Sequence, residues 1–235
     1  MNSEEFKHLI SLKKAPKKLE IIKDVCLDGD RLKDVSFHKL EYRTISFFNV
    51  SIENGNMSEC DFNLCTFSNV TFLKCDFNSV QFLNCVFINC QFMFCHKNYI
   101  NTTHCQFITC QFDEIESLLF DSQFTNFIKC IFYKVDIKGS LFGSCLFQEN
   151  EFLESQIINS PFQHNSLFFN KFIQSQITKS NNYLGLFYKN DYHKTKGVNK
   201  ELRHLEQKGY YTRFGQFEDN MSNDFKKILL NSKKK

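Results

Sequence analysis

The sequence predicts an all-β solenoid, and three observations carry that prediction. Large apolar residues recur at every fifth position, smaller residues fill a second column two places earlier, and the positions between are mostly polar. The large column opens with Leu27, Leu32, Phe37, Tyr42, Phe47, Ile52 and Met57, then runs as unbroken Phe from Phe62 to Phe92. It resumes at Phe107 and Phe112, and again from Phe127 to Ile177. Of its 31 positions from 27 to 177, 18 are Phe, where about four would fall by chance in a repeat search. A period of five matches neither a helix nor a flat strand. It suits a chain that turns a corner every five residues and aims one large side chain at the axis from each side.

The second column holds ten of the eleven cysteines, from Cys60 to Cys145, with Val70, Val80 and Val135 among them. Toward the C-terminus it becomes Ser140, Asn150, Ser155, Ser160, Asn165, Asn170 and Ser175. These polar residues need hydrogen-bond partners if they point inward. Stacked amides or turn backbone groups are expected to supply them.

The blocks CDFNL CTFSN VTFLK CDFNS VQFLN CVFIN CQFMF, from Cys60 to Phe94, resemble the pentapeptide-repeat family. That family follows a small residue, a polar residue, a central Leu or Phe, and two polar residues. The resemblance implies a right-handed, four-sided parallel β-helix with four pentads per coil. The repeat, taken as 25–180, then makes about eight coils. At ~4.8 Å per coil the rod is roughly 37 Å long. Each coil touches only its neighbours, so stability adds along the axis.

Short α-helical caps are expected at both ends. In the N-terminal cap, 1–24, Ser3 with Glu4 and Glu5 precedes Phe6, Leu9 and Ile10, an N-capped helix stopped near Pro16. The C-terminal cap or extension, 181–235, reads as short amphipathic helices. Asn182 precedes Tyr183, Leu184, Phe187 and Tyr188 with Gly197 as a stop; Asn199 precedes Leu202 and Leu205; Ser222 precedes Phe225, Ile228 and Leu229. Such helices would cover the open edge of the last coil. The aromatic group Tyr210, Tyr211, Phe214 and Phe217 could pack there or join two copies end to end as a homodimer.

Four central positions break the column: Lys97, Thr102, Ser117 and Ser122. With twenty residues per coil, 97 stacks on 117 and 102 on 122, so two adjacent sides fail in two consecutive coils. A local bulge with Leu118, Leu119 and Phe120 turned inward accounts for this. Ladder defects also re-aim side chains at functional sites. The candidate partner-binding surface is therefore His96, Lys97, Tyr99, Asn101, Thr102, Asp113, Glu114, Glu116 and Asp121.

The chemistry of enzymes is not readable. Only 8 glycines occur and none form a phosphate loop; nucleophile-elbow and paired-His motifs are absent. A zinc site needs four converging ligands. A four-sided coil puts Cys95 and Cys105 on opposite faces and stacks Cys65, Cys85 and Cys105 in a line, so packed thiols are the reading, with no metal or cofactor. Disulfides between stacked cysteines are disfavoured by their parallel Cβ vectors. No apolar run reaches about eighteen residues, so no transmembrane segment is expected. The start, with Glu4 and Glu5, reads as no secretory leader. The expected compartment is the cytoplasm, where thiols stay reduced.

The net charge of +3 is split: residues 45–180 carry 7 basic and 12 acidic groups, and 181–235 carry 12 and 6. Direct nucleic-acid binding is not expected, since the basic run Lys233–Lys235 reads as a solvated terminus. Two functions remain open. One is a non-catalytic scaffold whose polar faces bind a protein partner. The other comes from the resemblance: some family members, including immunity and quinolone-resistance proteins, mimic DNA and protect or inhibit a type II topoisomerase (DNA gyrase). The repeat's excess of five acidic groups is small beside duplex DNA, with one charge per ~1.7 Å.

Overall fold

Each pentad makes one short strand and one corner. In Thr66–Ser68 the two flanking residues face outward and Phe67 is buried. The next residue, Asn69, takes a left-handed φ of 55°, which turns the chain, and Val70 points inward again. Left-handed φ is costly for residues with a Cβ, least so for Asn and Asp. Here even Thr44, Phe94 and Thr109 adopt it. Hydrogen bonds between coils on both sides of the corner hold it in place. Asn69 N–H donates to Ile88 O at 2.9 Å, and Gln91 N–H donates to Val70 O at 2.9 Å.

The structure, a computed structural model, describes residues 1–12 and 21–197 apart from 38, 97, 161, 179, 181, 184 and 185. It is a parallel β-solenoid of about eight turns, with register partners twenty residues apart, as in Phe67↔Phe87↔Phe107. Four faces follow one another around the coil. The second face stacks nine strands, from Cys26–Asp28 to Leu186–Tyr188, and the third stacks eight, from Arg31–Lys33 to Lys171–Ile173. The first face begins at Ile21–Lys23; the fourth begins as bridges linking Ser36, Asn56, Asp76 and His96. These two faces join into one 12-stranded sheet because Asn98–Thr103 and Leu118–Gln123 run across both.

The interior is an aromatic ladder. Phe47, Phe67, Phe87, Phe107, Phe127 and Phe147 stack with centroids 4.5–5.0 Å apart and planes within 10°. The strand spacing itself sets that interval. Full burial of each ring contributes about 1.5–3 kcal/mol. The small column lies beside the rings. Cys85 Sγ donates to Phe62 O at 3.3 Å, and Asn165 Nδ2 donates to Phe142 O at 2.8 Å.

At the N-terminal end, helix α1 (Ser3–Ser11) closes the first coil. Its cap is Asn2, not Ser3: Asn2 Oδ1 accepts from Glu5 N–H, and Glu5 returns a bond to Asn2 N–H, a capping box. Phe6 packs edge-on against Phe37, Tyr42 and Phe47. Ile10 O accepts from Ser36 N–H at 2.7 Å. The helix ends at Ser11; Pro16 lies outside the described residues. Coiling begins earlier than 25, since Ile22 is already buried in a strand.

At the other end the expected helix at 182–188 is replaced by strands, Asn182–Tyr183 and Leu186–Tyr188, with bridges at Asp191 and Lys196. The spacing of Tyr183, Leu184, Phe187 and Tyr188 fits a helix, but the pentad frame prevails. Phe187 and Tyr192 occupy the large column, and Asn190 and Thr195 the small one, all buried. Gly197 is no helix stop. Its φ is +84°, and a Cβ there would lie 1.8 Å from Ile177 O, so only glycine fits. The helices expected beyond it, and Tyr210, Tyr211, Phe214 and Phe217, lie outside the described residues.

Candidate functional site

The corner residue recurs with positive φ throughout the coils, and among the described residues of the repeat it is missing at Tyr99 and Leu119. Without those two turns the chain runs straight. Asn98–Thr103 and Leu118–Gln123 are six-residue strands, twice the usual length, paired in register over all six positions. Side chains alternate strictly across them, as a flat strand requires. Asn98, Ile100, Thr102, Leu118, Phe120 and Ser122 are buried, and Tyr99, Asn101, Thr103, Leu119, Asp121 and Gln123 face outward.

The interior of this corner is rebuilt. Phe120 packs edge-on against Phe107, Phe112 and Phe127. Leu118 and Phe120 turn inward as expected, whereas Leu119 turns out. Asn98 Nδ2 donates to Cys95 O at 2.9 Å and to Ser117 O at 3.4 Å, satisfying carbonyls where the corner was lost. Thr102 Oγ1 donates to Ser122 Oγ at 2.8 Å, and Thr125 Oγ1 donates to Thr102 Oγ1 at 3.2 Å. Thr102 is thus a buried hydroxyl in the core and not a contact residue, a correction to the sequence reading. Beyond the corner Leu118 pairs with Ile137 and Asp121 with Leu141. That one-residue slip restores the turn at Gly139.

The other candidate residues separate. Tyr99, Asn101 and Asp121 share the flat strand pair, with Asn101 opposite Asp121 in register. His96 and Glu116 are exposed just before it. Lys97 lies outside the described residues. Asp113 and Glu114 lie at the end of the third face, and Glu114 pairs with Lys134 at 3.3 Å. Burial, with Glu114 alongside, holds the Asp113 carboxyl above its ordinary range, against the pull of Lys134. Its Oδ1 is buried without a hydrogen-bond partner. Sequence reasoning missed Thr103, Leu119 and Gln123 on the platform; strict alternation from Tyr99 is the signal that finds them.

Part of the charge on the rod is paired between coils. Lys33–Glu53, Lys39–Glu59, Lys134–Glu114, Lys129–Glu149 and Lys171–Glu151 each join residues twenty apart at 2.7–3.7 Å. Among the described residues no group of three or more His, Cys, Asp or Glu side chains is placed to hold a metal ion, and no helix is long and apolar enough to cross a membrane.

Coils in register, an inward aromatic ladder and one altered corner define a β-solenoid repeat protein. Its repeating unit is the pentapeptide, so the chain has the pentapeptide-repeat fold. No family model and no curated protein matches the sequence. Solved structures do match. A trypsin-treated form of QnrB1, described as a plasmid-mediated fluoroquinolone resistance protein, is similar with a TM-score of 0.50 and 18% identity, over 80% of this chain and 96% of that one. Full-length QnrB1 aligns with a TM-score of 0.48 at 17% identity, over 80% and 97% of the two chains. HetL, a pentapeptide repeat protein of the cyanobacterium Nostoc involved in heterocyst differentiation regulation, aligns at 0.37 and 10%, over 83% and 92%.

Proposed function

We propose that the chain is a non-catalytic interaction scaffold, cytoplasmic, that binds a protein partner over its straightened corner. The observation that supports this most directly is the coherent loss of two turns in consecutive coils. It converts an edge into a flat platform bearing Tyr99, Asn101, Thr103, Leu119, Asp121 and Gln123. An aromatic ring among amide and carboxylate groups suits a polar or basic protein surface. The ten buried thiols fit packing in a reducing compartment and not nucleophilic chemistry, which needs exposure.

Binding tests this reading. A partner captured by the wild-type chain should be lost by the double variant Tyr99→Asp, Asp121→Lys, and retained by Gln91→Lys on the third face. Equal recovery by all three would remove the corner from the function. A second reading, duplex mimicry toward a type II topoisomerase such as DNA gyrase, draws on the acidic balance of the repeat. The lysines stacked on Glu53, Glu59, Glu114, Glu149 and Glu151 count against it. Protection of gyrase supercoiling from a fluoroquinolone by the added chain would reverse that preference.

A further inference from the structure

We infer that the second face is the contact surface of an antiparallel homodimer. The inference goes beyond the partner-binding reading and concerns a different side of the rod, separated from the straightened corner by the turns at His104 and Phe124. It rests on one outward column, continuous through nine paired strands from Asp28 to Tyr188.

That column reads nearly the same in both directions. Ile108 is its centre. One coil either side stand Ile88 and Ile128; two coils out, the polar Ser68 and Gln148; three coils out, Phe48 and Phe168. At the ends Asp28 answers Tyr188, whose ring Lys189 covers at 5.2 Å. A two-fold axis lying in the face and crossing the rod at Ile108 lays this column against its own reverse. Apolar then meets apolar, polar meets polar, and the carboxylate of Asp28 reaches the phenol and ammonium of the partner copy's far end. A contact on a two-fold axis must be self-complementary in this way.

Charge supports the same occupant. Between Asp28 and Tyr188 the column carries no ionisable group, and neither does the outward column two residues earlier, from Ser46 through Gln106 to Ser166. Two copies therefore meet without like-charge contact. The third face lacks this property: reversal about Asp113 there sets Lys33 against His193. Eight intervals of ~4.8 Å and a strip about 10 Å wide give roughly 400 Å² per copy, the size of a reversible association.

Sedimentation velocity on the full chain, from about 1 to about 200 µM, tests the inference. A dimer with a micromolar Kd is expected. Ile108→Lys sets two lysines together on the axis and should raise Kd at least about tenfold, with the melting temperature checked alongside. Orientation is tested separately by Ile88→Lys and Ile128→Glu. Each alone should weaken the dimer, and the two combined should restore it, because antiparallel register puts 88 of one copy opposite 128 of the other. A monomer throughout the range, a dimer indifferent to Ile108→Lys, or a double variant no better than the weaker single overturns the proposal. Tyr99→Asp should leave Kd unchanged, which separates this failure from failure of the partner-binding reading.

Discussion

The two halves of the solenoid fill one structural slot with opposite chemistry. From Cys60 to Cys130 the small column is mainly cysteine. Cys105 Sγ donates to Phe82 O at 3.2 Å, a weak bond from a side chain that packs as a small hydrophobe. In the later coils the slot holds Asn and Ser. Asn170 Nδ2 donates to Phe147 O and to Asn190 Oδ1, and its Oδ1 accepts from Asn150 N–H and Asn150 Nδ2, all at 2.9–3.0 Å. The thiol column asks little of its neighbours. The amide column forms a chain of dependent bonds, in which the backbone N–H groups of Cys130, Asn150 and Asn170 each donate to the Asn Oδ1 of the next coil and lose that acceptor if the amide is removed. The same backbone thus carries a tolerant half and an intolerant one.

Substitution within the slot breaks or confirms that contrast. Asn170→Leu strands Asn150 N–H in the core and breaks three further buried bonds, to Asn150 Nδ2, Phe147 O and Asn190 Oδ1. The stranded N–H costs about 1–3 kcal/mol and the lost bonds add to it, so a loss of about 3–5 kcal/mol is expected in chemical denaturation. Cys105→Ala removes one sulfur and should cost about 1 kcal/mol. Similar losses for the two would erase the distinction.

Alkaline pH separates the halves next. Burial pushes the Cys60 thiol up to about 12, from an ordinary 9.0, and raises Cys110 in the same way. A raised folded pKa means the native state holds its proton while the unfolded chain releases it. The stability these thiols confer is complete below pH 9 and falls between about 9 and 12, by up to about 1.4 kcal/mol per thiol per pH unit. Amide exchange should therefore open the cysteine coils before the Asn and Ser coils as pH rises. Opening in the reverse order would mean the thiols do not control it.

Thiol counting gives a smaller but sharper signal. Cys26 is exposed and the other ten cysteines are buried, so native protein should react rapidly at one thiol and denatured protein at eleven. The mildest effect is expected at a corner. Thr109 is β-branched yet holds a φ of 53°, and Thr109→Asn should stabilise by up to about 1 kcal/mol in thermal melting. No gain would show that the Thr109 hydroxyl bond to Ile108 O at 2.7 Å offsets the strain.

Much of this molecule is legible in the sequence because inward positions tolerate few residue types. The five-residue frame, the paired columns and the breach between 97 and 122 all follow from it. The frame, in which Phe107 continues the column in step, puts position 102 inside; reading Thr102 as a surface residue weighs its polarity above its register. Corner geometry is another matter. Phe94 and Phe124 turn left-handed while Tyr99 does not, so side-chain type does not decide where a coil bends; bonds to adjacent coils do. The last coils misled for a related reason. Around 182–188 the Phe signal thins, and four apolar residues happen to fit a helical spacing that the neighbouring coil overrides.

The twenty-residue turn has a consequence for how such a chain can change over time. A duplication of one pentad would rotate everything downstream by a quarter turn, so that residues once on the second face would move to the third. A duplication of four pentads would only lengthen the rod. Gains and losses of whole coils are therefore shape-preserving, while single-block changes shear one surface from the next. The slip between Leu118 and Ile137 is confined to one corner, since Asp121 again pairs twenty residues on with Leu141, and it leaves the faces beyond in step.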